Sequence, residues 1–214
     1  MNEDRKDKKK TILRAIRIDK ELDDALDKDA KEQGISENAL ISSILAKYID
    51  WDRYSQKFGF VSLPSEALKA IIEATEPDKL RMAVEEYSAS VPKDIVMFRY
   101  KKLDLESCLM LLSSLSRYGS MFKYELQIEQ QRNYTITIHH NFGEKWSYWL
   151  KEAISTGLFK NVLGIMPKTQ LSKSSVVFTF LLPWRYSCEI YQVLLFYCFG
   201  YLFDSFESDI ISNL

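Results

Sequence analysis

The chain has 214 residues, of which 46% are hydrophobic and 28% are charged, a composition typical of a globular protein with an apolar core. Seven glycines and five prolines argue against long flexible linkers. The three cysteines lack the spacing of a metal site or a disulfide scaffold, and the chain begins with charged residues rather than an apolar run. We therefore expect a cytoplasmic protein with no signal peptide, no cofactor and no bound metal.

Charge is distributed unevenly along the first fifty residues. Residues 1–20 carry eight basic and four acidic side chains, whereas residues 21–50 carry three basic and eight acidic ones. Residues 1–10 contain no apolar side chain apart from Met1 and are expected to form a disordered basic arm. Such an arm attracts a polyanion locally, although a merely solvated tail would carry the same charges.

The first predicted elements lie between residues 11 and 58. Thr11–Ile18 is rich in β-branched residues and predicts a strand. Asp19 is a suitable N-cap for the helix that follows, Gly34 would end that helix, and Ser36 would cap a second helix with a wide apolar stripe. Because so small a unit buries little apolar surface and one strand alone leaves both its edges unpaired, the pattern predicts a dimer with paired strands.

This order of strand, capped helix, glycine turn and capped helix resembles the ribbon-helix-helix repressors. The matching residues are ILRAIRI, DKELDDALDKDAKEQ and GISENALISSILAKY, which together span about forty residues. The resemblance implies a transcriptional regulator, a homodimer or tetramer, whose paired strands enter the major groove of double-stranded DNA as a two-stranded β-ribbon. The alternative is an antitoxin-like or other protein-interaction module that dimerises through the same N-terminal domain.

The resemblance also implies which side chains contact DNA. Those that would face base edges are Thr11, Leu13, Ala15 and Arg17. Those that would contact phosphates are Lys8, Lys9, Lys10, Ser36, Glu37 and Asn38. Arg17 suits a bidentate contact with guanine, whereas Leu13 and Ala15 are less polar than the family pattern and could instead pack within the protein. Glu37 would repel a phosphate and better suits the dipole at the start of the second helix.

Beyond residue 58 the pattern changes to a helical connector and then to an α+β domain. Residues 59–92 predict two helices that divide near Pro77 and end before Pro92. Residues 93–183 predict strand, helix, strand, strand, helix and strand, the order of a ferredoxin-like fold, with KDIVMFRY as the first strand. If KDIVMFRY is helical instead, this domain is a smaller α+β layer.

A polar and aromatic cluster lies where a predicted strand meets a predicted helix. Its members that form the candidate site for an anionic small-molecule effector are His139, His140, Asn141 and Lys145. The alternative is a structural turn with Trp146 in the core. No catalytic residues are expected, because no nucleophile elbow or other catalytic arrangement is present.

The last predicted segment, residues 184–214, is an aromatic and hydrophobic tail. Its longest uncharged stretch, Ile190–Phe203, is shorter than the roughly 18 residues of a membrane-spanning helix. Packing on the second domain or oligomerisation is therefore favoured over contact with a membrane.

Overall fold

The computed structural model describes residues 12–130 and 132–182. The described residues fall into two compact units, one up to Asp50 and the other from Trp51 onwards. The helices are α1 (Lys20–Gln33), α2 (Glu37–Lys47), α3 (Arg53–Phe58), α4 (Ser65–Ala74), α5 (Pro77–Tyr100), α6 (Leu105–Tyr118) and α7 (Glu144–Glu152). The strands are β1 (Lys123–Glu129), β2 (Asn133–His139), β3 (Lys168–Leu171) and β4 (Ser175–Leu181). Two π-helical segments, Tyr48–Asp52 and Ala153–Leu163, continue α2 and α7.

The predicted N-terminal strand is not seen in the residues that the structure describes, which begin at Ile12. Residues 12–19 form neither helix nor strand, and the first helix begins at Lys20. A strand needs a neighbour for its backbone N–H and C=O groups, and in the described part of the chain β1–β4 pair only with one another. The prediction of a β-α-α order in a ribbon-helix-helix domain is therefore wrong for this chain, in which the irregular residues 12–19 are followed by α1 and α2.

The local signals for α1 and α2 are confirmed. The Asp19 carboxylate accepts a hydrogen bond of 2.9 Å from the N–H of Leu22, as an N-cap does. Gly34, with φ at 68°, ends α1 in the left-handed conformation that favours glycine. The Ser36 hydroxyl accepts a bond of 3.2 Å from the N–H of Ala39 and caps α2.

The segment predicted as the strand KDIVMFRY forms the end of α5 instead. This helix continues through Pro92, whose missing N–H would leave the carbonyl of Ser88 without its helical donor. The Asn161 side chain on the π-helical segment replaces that donor, with 2.9 Å between its Nδ2 and the Ser88 oxygen. A Cβ on Gly157 would lie 2.5 Å from Cγ of Pro92, so the glycine is what lets the proline ring approach.

The ferredoxin-like prediction is consequently wrong, because the strand that should begin that order is helical. The second unit instead carries one antiparallel sheet in the order β1-β2-β4-β3. The predicted helix α6, the hairpin β1–β2 and strand β4 are confirmed, whereas β3 was not predicted.

One face of this sheet forms the core with the helices. Ile136 on β2 and Phe178 on β4 lie opposite each other and are fully buried. Phe159 on the π-helical segment packs its ring 4.8 Å from that of Phe180, measured between centroids. The other face carries mainly polar side chains, as expected of an antiparallel sheet covered on one side.

Candidate functional site

The residues predicted to face DNA bases lie on the irregular segment before α1. Leu13 is 96% exposed, and Ala15 and Arg17 are exposed as well, while Thr11 lies outside the described residues. Neither Leu13 nor Ala15 is packed in the interior of the first unit, which was the alternative interpretation of their low polarity. The Arg17 guanidinium is accessible to a ligand.

Large apolar side chains are exposed to an unusual degree in the first unit. Among its described residues only Ala30 and Leu40 are buried. The large apolar side chains that are at least 40% exposed are Ile12, Leu13, Ile16, Leu22, Ile35, Ile44, Leu45, Tyr48 and Ile49. We call these nine residues the N-terminal apolar set. Large contiguous apolar patches on a folded protein mark interaction sites, and this set is the candidate for such a surface in the first unit.

The predicted phosphate site lies at the start of α2. Ser36 and Asn38 are exposed, and Glu37 is half-buried in the first turn of the helix. The Ser36 hydroxyl is occupied by the N–H of Ala39, but the first amides of any helix lack an acceptor within that helix. Those amides and the helix dipole favour an anion, while the Glu37 carboxylate opposes one. Lys8, Lys9 and Lys10 lie outside the described residues.

The second candidate site lies where β2 meets α7 and centres on His140. Its Nε2 lies 2.9 Å from Oγ of Ser147, which donates to the carbonyl oxygen of Ser172 at 2.6 Å. The Nδ1 atom of His140 accepts from the N–H of Phe142 at 3.3 Å. With Nδ1 accepting, the ring proton is on Nε2, which therefore donates to Ser147. The chain of bonds ties together the end of β2, α7 and the β3–β4 turn.

The direction of these bonds decides what the pair of His140 and Ser147 can do. A histidine that activates a serine must accept the hydroxyl proton, whereas here the facing nitrogen carries a proton of its own. Ser147 is also only 1% exposed and its proton is held by a backbone carbonyl. Burial, and secondarily the positive charge of His139, lower the pKa of His140 and favour its neutral ring. The pair is therefore arranged for structure rather than for nucleophilic attack.

The other predicted effector residues point to different partners. Lys145 donates to the carbonyl oxygens of Glu73 and Thr75, each at 2.7 Å, and so fastens the end of α4 to α7. His139 is exposed, with its Nε2 3.8 Å from Oε1 of Glu125. Asn141 is also exposed, and Trp146 lies in the core. Two of the four residues, His140 and Lys145, thus form hydrogen bonds that join elements of the fold. The effector role of all four residues stays a prediction.

An aromatic cleft in the second unit was not predicted as a site. It is lined by aromatic rings of α3 and α5, with the Arg99 guanidinium 5.7 Å from the ring of Trp51 and 5.6 Å from that of Tyr54. The available signal was the spacing of Trp51, Tyr54 and Phe58, which places all three on one helical face.

Two further properties concern residues 12–130 and 132–182 alone. Within these ranges, no three His, Cys, Asp or Glu side chains are grouped so that they could hold a metal ion. None of the helices in the same ranges has both the length and the apolar character needed to cross a membrane.

Comparison of the chain with models of protein families, with curated proteins and with solved structures finds no match. What the chain does must therefore be inferred from its own residues and their geometry.

Proposed function

We propose that the chain is a sequence-specific DNA-binding transcriptional regulator that acts as a homodimer through its first fifty residues. The observation that carries the proposal is the N-terminal apolar set, nine exposed side chains among residues 12–50, of which only two apolar ones are buried. Removal of apolar surface from water is the dominant favourable term in most protein association. A second copy of the same unit offers a matching apolar surface, so the proposed dimer would bury the apolar surfaces of both copies.

The segment before α1 supplies the proposed contact with bases. It is exposed and carries Arg17, whose guanidinium can form a bidentate contact with guanine. In the proposed dimer this segment of each copy faces the major groove, where the edges of the bases are accessible. Each copy then reads one half of a pseudo-palindromic site.

The start of α2 and the basic arm supply the proposed contacts with phosphates. Exposed Ser36 and Asn38 stand beside helix amides that favour anions, and residues 1–20 carry twice as many basic as acidic side chains. Contacts of this kind release counterions, so binding weakens steeply as salt rises. A cytoplasmic location belongs to the same proposal.

The proposal is tested by fluorescence anisotropy on DNA duplexes that the purified protein selects from a random pool. Arg17→Ala removes one base contact from each copy, so we expect affinity to fall by roughly tenfold or more. Arg81→Ala is the matched control, because it removes the same charge from an exposed position on α5. Equal losses in the two variants would show that Arg17 acts only through net charge and would contradict the proposal.

A protein-interaction module of the antitoxin type is the second candidate. The N-terminal apolar set favours it too, since a partner protein with an apolar surface would cover the same residues. This alternative predicts that another protein co-purifies with the chain and that the chain alone binds DNA weakly at every salt concentration.

A further inference from the structure

Arginine side chains lie against aromatic rings on one surface of the second unit. The Arg53 guanidinium lies 4.6 Å from the centre of the Tyr54 ring, and the Arg99 guanidinium lies 5.6 Å from the centre of the same ring. Arg99 also lies 5.7 Å from the centre of the Trp51 ring. One arginine of α3 and one near the end of α5 thus share a pair of rings.

The same contacts continue to the end of α6. The ring of Trp51 lies 6.1 Å from that of Tyr118, measured between centroids, and the Arg117 guanidinium lies 5.4 Å from the centre of the Tyr118 ring. Arg117 is exposed, and the Trp51 and Tyr118 rings are partly exposed. We define the arginine-aromatic surface by these residues: Trp51, Arg53, Tyr54, Arg99, Arg117 and Tyr118.

The shape of this surface argues against a pocket for a small molecule. The cleft that Trp51, Tyr54 and Arg99 help to line encloses about 10 Å³, which is enough for a water-sized group. Pockets for small ligands hold about 300–1,000 Å³. A ligand that uses these rings must therefore stack on them from outside.

The charge of the surface argues for a polyanion. Its three guanidinium groups stay protonated at every physiological pH, whereas Asp52 is the carboxylate next to Arg53 in the chain. Proteins bind single-stranded nucleic acids with this combination, because cations contact the phosphates while unpaired bases stack on aromatic rings and guanidinium planes. A duplex keeps its bases stacked on one another, and an acidic peptide offers the charge without the bases.

We propose that the arginine-aromatic surface binds single-stranded nucleic acid, with bases stacked on Trp51 and Tyr54 and phosphates contacted by Arg99 and Arg117. This activity goes beyond the recognition of duplex DNA by the first unit, because the whole surface belongs to the second unit. It rests neither on Arg17 nor on the N-terminal apolar set.

Fluorescence anisotropy of labelled single strands of DNA and of RNA tests the proposal in full-length protein that carries Arg17→Ala. This background removes the proposed base contact of the first unit, so a failure of duplex recognition and a failure of strand binding can be told apart. Arg117 is exposed, so Arg117→Gln should leave the fold intact. We expect this variant to weaken strand binding severalfold and to reduce the slope of log affinity against log salt by about 0.7, the value for one phosphate contact on a single strand. Arg81→Gln at an exposed position of α5 is the matched control and should change neither quantity.

A strand without bases tests the stacking. An abasic strand of the same length keeps the phosphates, and we expect it to bind at least tenfold more weakly than the normal strand, because no base can stack on the rings. Stacked bases should also quench the fluorescence of Trp51, and Trp51→Phe should remove that part of the quenching while it retains a ring. Equal binding of the normal and abasic strands, or equal effects of Arg117→Gln and Arg81→Gln, would overturn the proposal. Displacement of the strand by polyglutamate as readily as by unlabelled strand would overturn it as well, because charge alone would then explain the binding.

Discussion

His140 makes the stability of the second unit depend on pH. Its neutral ring serves as a donor to Ser147 and as an acceptor from the N–H of Phe142. Burial is the larger cause that lowers the pKa of His140, and the neighbouring charge of His139 adds to it. A protonated ring would lose its acceptor nitrogen and turn a second N–H toward that of Phe142.

We predict that the free energy of unfolding falls as the pH is lowered from 7.5 to 5.5. The unfolded chain binds a proton on this histidine at about pH 6.5, whereas the folded chain binds it only at lower pH. The contribution of the neutral ring is therefore fully present above pH 6.5 and is lost as the pH falls through the lowered pKa. Urea unfolding followed by tryptophan fluorescence measures this change.

The two histidines supply the control for the pH experiment. His140→Gln removes the titrating ring and should flatten the dependence on pH between 7.5 and 5.5. His139→Gln leaves that ring in place and should reduce the dependence only in part, because it removes the secondary cause of the shift. An unchanged slope in His140→Gln would contradict this account of the site.

Single residues could be predicted from the sequence where their partners are close in the chain. Asp19 and Ser36 each accept a hydrogen bond from a backbone N–H three residues later, so both caps were evident from their local pattern. The partner of Lys145 lies about seventy residues earlier, at the end of α4. No local pattern indicates such a bond, and Lys145 was therefore assigned to a candidate effector site.

Among the elements, α5 shows how a distant residue overrides a strong local signal. Proline inside a helix costs about 3 kcal/mol, in part because one carbonyl loses its donor. Here Asn161 donates to the carbonyls of Ser88 and Ala89 at 2.9 and 3.3 Å. The sequence predicted that the helix ends before Pro92, since this compensation comes from a side chain on a different helical segment.

We predict that Asn161→Ala lowers the free energy of unfolding by about 1 kcal/mol, because the Ser88 carbonyl loses its remaining donor. Pro92→Ala restores a backbone N–H at the right position and should reduce the cost of removing Asn161. Urea unfolding of the two single variants and the double variant measures this coupling. Strictly additive losses would contradict the view that Asn161 replaces the donor that proline lacks.

The sheet was predictable except for its shortest strand. β1, β2 and β4 each alternate in burial over seven residues, which is the pattern that their sequences predict. β3 comprises only KTQL and is defined by its pairing with β4 rather than by its own composition. The order β1-β2-β4-β3 differs from the predicted one, because the segment that the sequence pattern assigned to the first strand forms the end of α5.

At the scale of the whole molecule, the two units differ in how completely they bury apolar side chains. One cluster of buried residues joins the helices of the second unit to one face of its sheet. In the described part of the first unit only Ala30 and Leu40 are buried, and much of the apolar stripe on α2 faces outward. The capped helices of this unit were predictable from the sequence, whereas its proposed contact with a second copy is not visible in a single chain.

We predict that Leu45→Glu weakens self-association by at least tenfold, because the proposed dimer would have to bury a carboxylate in place of leucine. Leu45 is 60% exposed in the chain, so the change costs little in the unassociated unit. Met82→Glu on α5, where the methionine is 68% exposed, is the matched control. Sedimentation velocity over a range of concentrations measures the self-association of both variants. Equal self-association of the two variants would contradict a dimer formed through the first unit.

The most direct test of DNA recognition by the first unit is selection of bound duplexes from random DNA by the full-length protein. Recognition by two symmetry-related copies predicts an enriched pseudo-palindromic site, with guanine at a matching position in each half for Arg17. A pool that shows no enrichment over its starting composition would contradict the proposal that this chain is a sequence-specific regulator.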